Sequence, residues 1–398
     1  MNELRRKIEA EIHEQGPIPF SRYMEMCLYD PEFGYYSRNA AQFGKAGDFY
    51  TSSDVHAVFG RLLARQFEEM WRALGLPEQM VIRELGPGRG LFAQDVLDWS
   101  EKKFPAFFQG LRYELVEHST ALRERIAQTL GKRFESGKAT FAEGNENPHP
   151  STGSGQAFSR TERARNGAPK TASADNAPTI VFANEFFDAI PVEIVSSRGS
   201  LRIDFRDGGF VETWTSPSAQ ELEFLDRYSI HPEEGQRVEV TLRAQKEMLS
   251  ACGIERGFVV VIDYGYAREE QLAGRHRGTL KAIRQHSVSA NPYEAPGEQD
   301  ITADVNFTAL AATAEHRGLR AQKLITQSQF LMGIGEATQF ADAFEECRLP
   351  QERAKVALQL KHLVTPAGMG ESFHVLVASK GVDAEKVSGL SGLGFGRR

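Results

Sequence analysis

Between a short apolar segment and a helix the chain reads Glu84-Leu85-Gly86-Pro87-Gly88-Arg89-Gly90. Glycines in such a turn leave bare backbone where a ligand must come close, because side chains there would occupy its space. The spacing is GxGxG, with Leu91 where a third dinucleotide glycine would fall, so it departs from the GxGxxG that seats a pyrophosphate on a helix N-terminus. S-adenosylmethionine has no pyrophosphate. Its site needs close backbone approach for the amino acid portion and an acid for the ribose hydroxyls. Glu117, which closes the next strand in Arg112-Tyr113-Glu114-Leu115-Val116-Glu117, is placed to accept from both hydroxyls. The candidate cofactor residues are therefore Glu84, Gly86, Gly88, Gly90 and Glu117, with Glu84 either holding the ligand's ammonium or setting the turn. A plain tight turn would explain the glycines alone, but not the acid one strand later.

A third apolar strand runs into Ala183-Asn184-Glu185-Phe186-Phe187-Asp188-Ala189-Ile190-Pro191. Two acids, an amide and two aromatics on one loop can hold a polar nitrogen beside a sulfonium. Methyl transfer from a sulfonium is an in-line displacement, so alignment of the nucleophile is the main task. A guanidinium is cationic at neutral pH, and acids that hold it in a bidentate fork localise its charge and leave one nitrogen more available. Glu185 and Asp188 are the candidates for that role, with Asn184 beside them. The competing reading makes Phe186 and Phe187 core and Glu185 a capping acid. His118 and His286 read as structural or surface residues, and Glu298-Gln299-Asp300 as a solvated loop rather than a metal site, since no His or Cys joins it.

These residues need a scaffold, and its pattern is legible. Met80 to Leu85, Leu111 to Val116, residues 179–183 and residues 257–262 are short, near-continuous apolar runs, as expected of strands covered on both faces. Helices follow the first two, with Phe92, Val96 and Trp99 on one face and Leu122, Ile126 and Leu130 on another. Alternation of this kind predicts an α/β, doubly wound, parallel sheet. Residues 2–15 read as a charged helix stopped by Gly16-Pro17, and a second helix begins near Asp54. The aromatic-rich stretch from Tyr23 to Tyr36 suits an ordered loop or cap. Alternation on either side of Asp207-Gly208-Gly209 predicts an inserted hairpin over 192–214. Residues 145–178 hold one large apolar residue, Phe158, and read as a disordered insertion. The expected organisation is a helical cap over 1–75, a catalytic domain over 76–380 and a flexible tail over 381–398.

Composition narrows the function classes. A net charge of -7 with no long Lys/Arg run argues against nucleic acid as a partner. No window approaches 18 uninterrupted apolar residues, so no membrane insertion is expected. Cys27, Cys252 and Cys347 lie far apart and form no CxxC pair, which fits a reducing setting. The charged start, Met1-Asn2-Glu3-Leu4-Arg5-Arg6-Lys7-Ile8-Glu9, carries no secretory or transit pattern, and the expected location is cytoplasmic.

Several separate blocks, in this order, give the chain a family resemblance. They are Cys27-Leu28-Tyr29-Asp30-Pro31 with Gly34-Tyr35-Tyr36, then Gly47-Asp48-Phe49-Tyr50-Thr51-Ser52, the glycine turn, the Asn184 loop, and Ile262-Asp263-Tyr264-Gly265. Gly278-Thr279-Leu280, Pro296-Gly297, Asp300-Ile301-Thr302-Ala303-Asp304-Val305-Asn306-Phe307 and Thr326-Gln327 with Phe330-Leu331 follow. From Tyr23 to about Leu376 the chain resembles the MidA-like methyltransferases, whose mitochondrial members assist respiratory complex I assembly by methylating an arginine. The resemblance implies a seven-stranded, Rossmann-like methyltransferase fold with an additional helical region, S-adenosylmethionine as cofactor, and a protein arginine as acceptor. In mitochondrial relatives the partner is a respiratory complex I subunit. Gly47 and Asp48 join the candidate cofactor contacts. Two alternatives stay open: methylation of another nitrogen, in a protein glutamine or a small molecule, and a cofactor-binding assembly scaffold.

Overall fold

Strands buried on both faces require helices on both faces, and the apolar runs are built that way. In a computed structural model that describes residues 3–38, 57–142, 176–284, 287–289 and 291–396, they pair as β1 (Met80–Leu85), β2 (Leu111–Val116), β3 (Ala139–Phe141), β4 (Thr179–Asn184) and β5 (Gly257–Tyr266). With β6 (Arg320–Ala321) and β7 (Phe373–Lys380) they form one sheet in the order β3-β2-β1-β4-β5-β7-β6. All neighbours from β3 to β5 are parallel, and β7 runs antiparallel to both β5 and β6. Two-residue strands at Val305–Asn306 and Ile325–Thr326 extend this sheet beside β5 and β7. The doubly wound α/β architecture is thus the one expected.

Alternate residues of one strand serve two cores. Ile82, Ile180, Phe182, Val260 and Ile262 face a core shared with α3 (Ala57–Ala73), α4 (Leu91–Lys103), α5 (Thr120–Thr129) and α8 (Gln327–Glu336). Val181, Ala183, Val259 and Val261 face a second core shared with α6 (Leu242–Ala251) and α7 (Phe307–His316). On the first face Phe92 stacks on Phe182 with ring centroids 4.5 Å apart, and Phe67 meets Phe182 edge-on at 5.5 Å, which seats α3 and α4 on β4. The helix near residue 57 therefore belongs to the sheet's own packing, although it was expected within a cap over 1–75.

The cap is assembled from three stretches of chain. α1 (Glu3–Gln15) buries Leu4, Ile8 and Ile12 at helical spacing and ends at Gly16, whose φ of +79° is the usual left-handed stop. The stretch expected as a loop is instead α2 (Phe20–Tyr29), followed by a short helix at Tyr35–Arg38. Its helical period was hidden because α2 is buried nearly all round: Phe20, Tyr23, Met24, Met26, Cys27 and Leu28 all lie in the cap core. Against these helices pack Val192, Ile194, Leu201 and Ile203 from the inserted region, and Ala282, Ile301 and Ala303 from much later in the chain.

The expected hairpin pairs Gly199–Arg206 with Gly209–Thr215 through a two-residue turn, Asp207 and Gly208 both having positive φ. It belongs to a larger, five-stranded sheet with Ile18–Pro19, Glu193–Ser196 and Arg237–Val240. Most of the segment read as a disordered insertion lies outside the described residues, and within it residues 176–178 are described. There the carbonyl of Pro178 accepts from the amide of Val81 at 3.0 Å and starts the β1–β4 pairing.

The tail differs from expectation. Residues read as flexible form a helix at Ala384–Ser388 and a 3-10 turn at Ser391–Leu393, and Val387, Leu390 and Leu393 enter the first core. Two buried polar contacts fix it to α3: the amide of Gly392 donates to Gln66 Oε1 and that of Ser391 to Glu69 Oε2, both at 2.9 Å. Spaced leucines among glycines carry too little periodicity to reveal such packing. Leu390→Ala should cost roughly 2–5 kcal/mol of stability in chemical denaturation; an unchanged midpoint would mean the tail adds nothing to the core.

Candidate functional site

Because β1, β2, β4 and β5 are parallel, their carboxyl ends share one edge. Leu85 lies opposite Val116 and Ala183, and Ile262 opposite Asn184, so Gly86, Glu117 and Glu185 leave the sheet side by side, level with Asp263 of β5. The strand order reverses between β1 and β4, which is where open α/β sheets place ligands.

The glycine turn is built for approach from two directions. Gly86 has φ +63°, and a Cβ added there would lie 2.8 Å from the Phe186 ring, so this glycine lets the β4 loop close against the turn. Gly88 has φ +54°, and nothing would lie within 4 Å of its Cβ, which leaves its backbone open to a ligand. Gly90 (φ +76°) is the N-cap of α4.

The two acids of this half have different surroundings. Glu84 is 5% exposed, and its Oε2 accepts from the Tyr113 hydroxyl at 2.9 Å. Burial pushes its carboxyl up to about 8, with the tyrosine's hydrogen bond opposing. A neutral, buried carboxyl tied to β2 fits the turn-setting role better than a direct salt bridge to an ammonium. Glu117 is half-buried, and its Oε1 accepts from the amide of Ser119 at 2.7 Å. Burial raises it to about 7 while the amides of Ser119 and His118 pull it down.

In the other half, Asp263 organises the loop. It is fully buried, and its Oδ2 accepts from three consecutive amides, those of Phe186 (3.1 Å), Phe187 (2.9 Å) and Asp188 (3.3 Å). Its Oδ1 accepts from the amide of Tyr264 at 2.9 Å. The chain wraps around one carboxylate oxygen, and Glu185 enters the wrap at φ +49°, a left-handed conformation that costs a non-glycine residue free energy. Asn184 Nδ2 donates to Glu185 Oε1 at 3.1 Å. Asp188 is 7% exposed, and burial pushes it up to about 7, with backbone amides opposing and Asp304 adding to the rise.

Of the three residues named for acceptor chemistry, Asn184 thus ends β4, and Glu185 and Asp188 lie on the loop that packs against Gly86. Gly47 and Asp48, like His286, lie outside the described residues. His118 is exposed. The acidic loop expected to be solvated is not: Gln299 and Asp300 are 2% and 4% exposed, because Asp300 opens a strand of the cap (Asp300–Thr302) and accepts from Tyr36 Oη at 3.1 Å. Among the described residues no group of three or more His, Cys, Asp or Glu is arranged to hold a metal. The residues missed were Asp263, Tyr113 and Tyr36. Asp263 carried a signal, being an acid at the end of an apolar strand like Glu84 and Glu117.

The family described as "Putative S-adenosyl-L-methionine-dependent methyltransferase" matches residues 62–325, a span that includes both halves of this edge. The chain belongs to that family. It is 30% identical to the mitochondrial protein arginine methyltransferase NDUFAF7 homolog of Drosophila melanogaster, over 98% of this chain and 88% of the relative. It is 28% identical to the mitochondrial protein arginine methyltransferase NDUFAF7 of Homo sapiens, over 93% and 81%. A Burkholderia thailandensis protein crystallised with S-adenosyl-homocysteine superposes with a TM-score of 0.78 at 28% identity, over 98% of this chain and 94% of that one. The relatives' names overturn one expectation: they are mitochondrial proteins, so a cytoplasmic location is withdrawn. The leader patterns searched for at Met1 to Glu9 were not a sound basis for it.

Two expected outcomes follow for this methyltransferase. Because the Glu84 carboxyl titrates near 8 rather than its ordinary 4.5, the folded chain binds more protons than the unfolded one between those values. Stability of the ligand-free protein therefore falls as pH rises through that window, by at most about 1.4 kcal/mol per pH unit from this group. Glu84→Gln keeps an acceptor for Tyr113 and should flatten that part of the decline when melting temperature is followed against pH; an unaltered slope would show that Glu84 is ionised throughout. Asp263→Asn puts an N–H donor among backbone amides and should cost about 1.5–3 kcal/mol in urea unfolding. A wild-type midpoint would remove Asp263 from its organising role.

Proposed function

We propose that this methyltransferase N-methylates an arginine side chain of a protein, with the loop after β4 as the acceptor site. The observation that carries the reading is the placement of Asp188 and Glu185 on a loop whose Phe186 ring packs against Gly86. Support comes also from the relatives that carry the name protein arginine methyltransferase along more than nine-tenths of this chain. The family resemblance extends the proposal to a subunit of respiratory complex I as the target.

In this reading the backbone at Gly86, Gly88 and Gly90 receives the amino acid portion of S-adenosylmethionine, Glu117 the ribose hydroxyls, and Glu84 supports the turn from beneath. The bound cofactor supplies an electrophilic methyl group on a sulfonium. Asp188 then has two tasks. Burial holds it near 7 when no cation is present, and a guanidinium placed beside it favours the ionised form, so the carboxyl charges as the acceptor docks. Asp188 and Glu185 together hold two guanidinium nitrogens and leave the third directed at the methyl group. A carboxyl that titrates near neutrality can also take the proton that the nitrogen gives up.

Glu185→Gln and Asp188→Asn should each lower methyl transfer by about 100-fold or more while cofactor affinity stays within about threefold, since the lost interaction is with the reacting acceptor. Transfer from tritiated S-adenosylmethionine into extract proteins, followed by hydrolysis and amino-acid analysis, measures the first quantity, and calorimetry the second. Loss of both in parallel would make these acids cofactor ligands. Label recovered on an amino acid other than arginine would overturn the acceptor assignment.

A further inference from the structure

The motif Leu28-Tyr29-Asp30-Pro31 with Gly34-Tyr35-Tyr36 has no place in the chemistry above. The structure shows what it builds. Asp30 ends α2, and its Oδ1 accepts from the amides of Glu32 (3.1 Å) and Phe33 (2.8 Å), while its carbonyl accepts from Gly34 at 2.9 Å. Gly34 sits too close for a side chain, a Cβ falling 2.5 Å from the Asp30 nitrogen. This tight reversal brings the ring of Tyr36 back beside that of Tyr29, with centroids 5.4 Å apart and planes inclined by 35°.

The pair is directed at the acceptor loop. Tyr29 Oη donates to the carbonyl of Ala189 at 3.0 Å, and Tyr36 Oη donates to Asp300 Oδ1 at 3.1 Å. The strand that carries Asp300 is tied to the same loop, because the amide of Ala303 donates to the carbonyl of Asp188 at 2.9 Å. Burial, and after it the charges of Asp300, Asp188, Glu117 and Glu247, push the Tyr29 hydroxyl well up. Tyr29 and Tyr36 are half-buried, whereas Tyr23, whose hydroxyl donates to the carbonyl of Pro292 at 2.9 Å, is 0% exposed within the cap core.

We propose that Tyr29 and Tyr36 form an aromatic wall of the acceptor pocket and hold a planar cation, a guanidinium, beside Asp188. The proposal rests on the arginine reading above and names the residues that select the acceptor. Aromatic faces attract a delocalised cation and remain favourable as water is excluded, and carboxylates at the edge of the plane supply directional hydrogen bonds. A neutral amide would gain neither attraction in full. Selection by the cap would also explain why these tyrosines come from outside the sheet: the cofactor half and the selecting half of the pocket are separate parts of the chain.

The test uses the full-length protein with tritiated S-adenosylmethionine and, as acceptor, protein extract from cells lacking this chain, varied in concentration. Tyr29→Leu and Tyr36→Leu should each raise the half-saturating extract concentration by about tenfold, with affinity for S-adenosylhomocysteine and turnover at saturation within about threefold of wild type. Tyr36→Phe keeps the ring and should stay within about twofold in half-saturation. If a leucine chain fails to fold, the phenylalanine chain decides: a tenfold rise with the ring retained would place recognition in the hydroxyl and overturn the wall. Methylarginine formed by the leucine variants with wild-type half-saturation also overturns the wall but leaves the arginine reading standing. Label on another amino acid in the wild type overturns that reading, and the guanidinium occupant with it.

Discussion

One buried carboxylate holds the site in shape. Asp263 ends the apolar run of β5, where burial and then the charges of Asp188 and Glu185 push its carboxyl well up, and four backbone amides oppose this by donating to it, three of them from the neighbouring strand's loop. A loop that gives three amides to one oxygen cannot relax without leaving that oxygen unsatisfied in the core. The wrap forces Glu185 into a left-handed backbone, sets Phe186 against Gly86, and turns Asp188 toward the cap. The parallel register places Asp263 beside Asn184 in the first instance, since Ile262 lies opposite it. Pairing of two strands thus becomes the geometry of a loop, and the loop closes against the glycine turn.

The cap needs its own anchorage because its segments are distant in sequence. Glu25 of α2 is 7% exposed and pairs with Arg22 of its own helix and Arg243 of α6, each at 2.8 Å. Arg22 also reaches Glu11 of α1 at 2.7 Å. A buried acid between two guanidiniums is costly to break, since removal of one partner strands the others. It fixes two cap helices to a helix of the second core, on the side of the sheet from which Asp263 holds its loop. The cap's position over the carboxyl edge therefore rests on a few directional contacts as well as on apolar packing.

The parts of this design that were legible in the sequence are those with a period or a punctuation mark. Near-continuous apolar runs announced β1, β2, β4 and β5, and the edge residues Gly86, Gly88, Glu117, Glu185 and Asp188 could be named because they interrupt or end such runs. The cap was largely illegible for the converse reason: α2 is buried all round and shows no stripe, and its sheet is drawn from residues near 18, 193–215 and 237–240. The tail looked flexible because its leucines stand among glycines, yet its amides find Gln66 and Glu69. Some motif residues prove to be architectural. Asn306 caps α7 by accepting from the amide of Ala309 at 3.0 Å, and Thr326 caps α8 in a box with Gln329. Asp263 is instructive, since it was quoted in a motif but given no role, although Glu117, an acid that likewise follows an apolar run, was read as meaningful.

The acids that remain at the edge share an electrostatic property. Burial raises Glu84 to about 8 and both Glu117 and Asp188 to about 7. In the absence of ligand, then, much of their charge is suppressed near neutral pH, which spares a desolvated cleft the repulsion of several carboxylates. A cation that meets such a carboxyl favours its ionised form, and the sulfonium of S-adenosylmethionine is one. Negative charge consequently develops as positive charge arrives, without the site having been strongly charged beforehand. Glu117 and Asp188 sit where this matters, one on each side of the glycine turn. Their raised values come from burial at this edge, so desolvation and the capacity to charge on meeting a cation are supplied by a single feature of the fold.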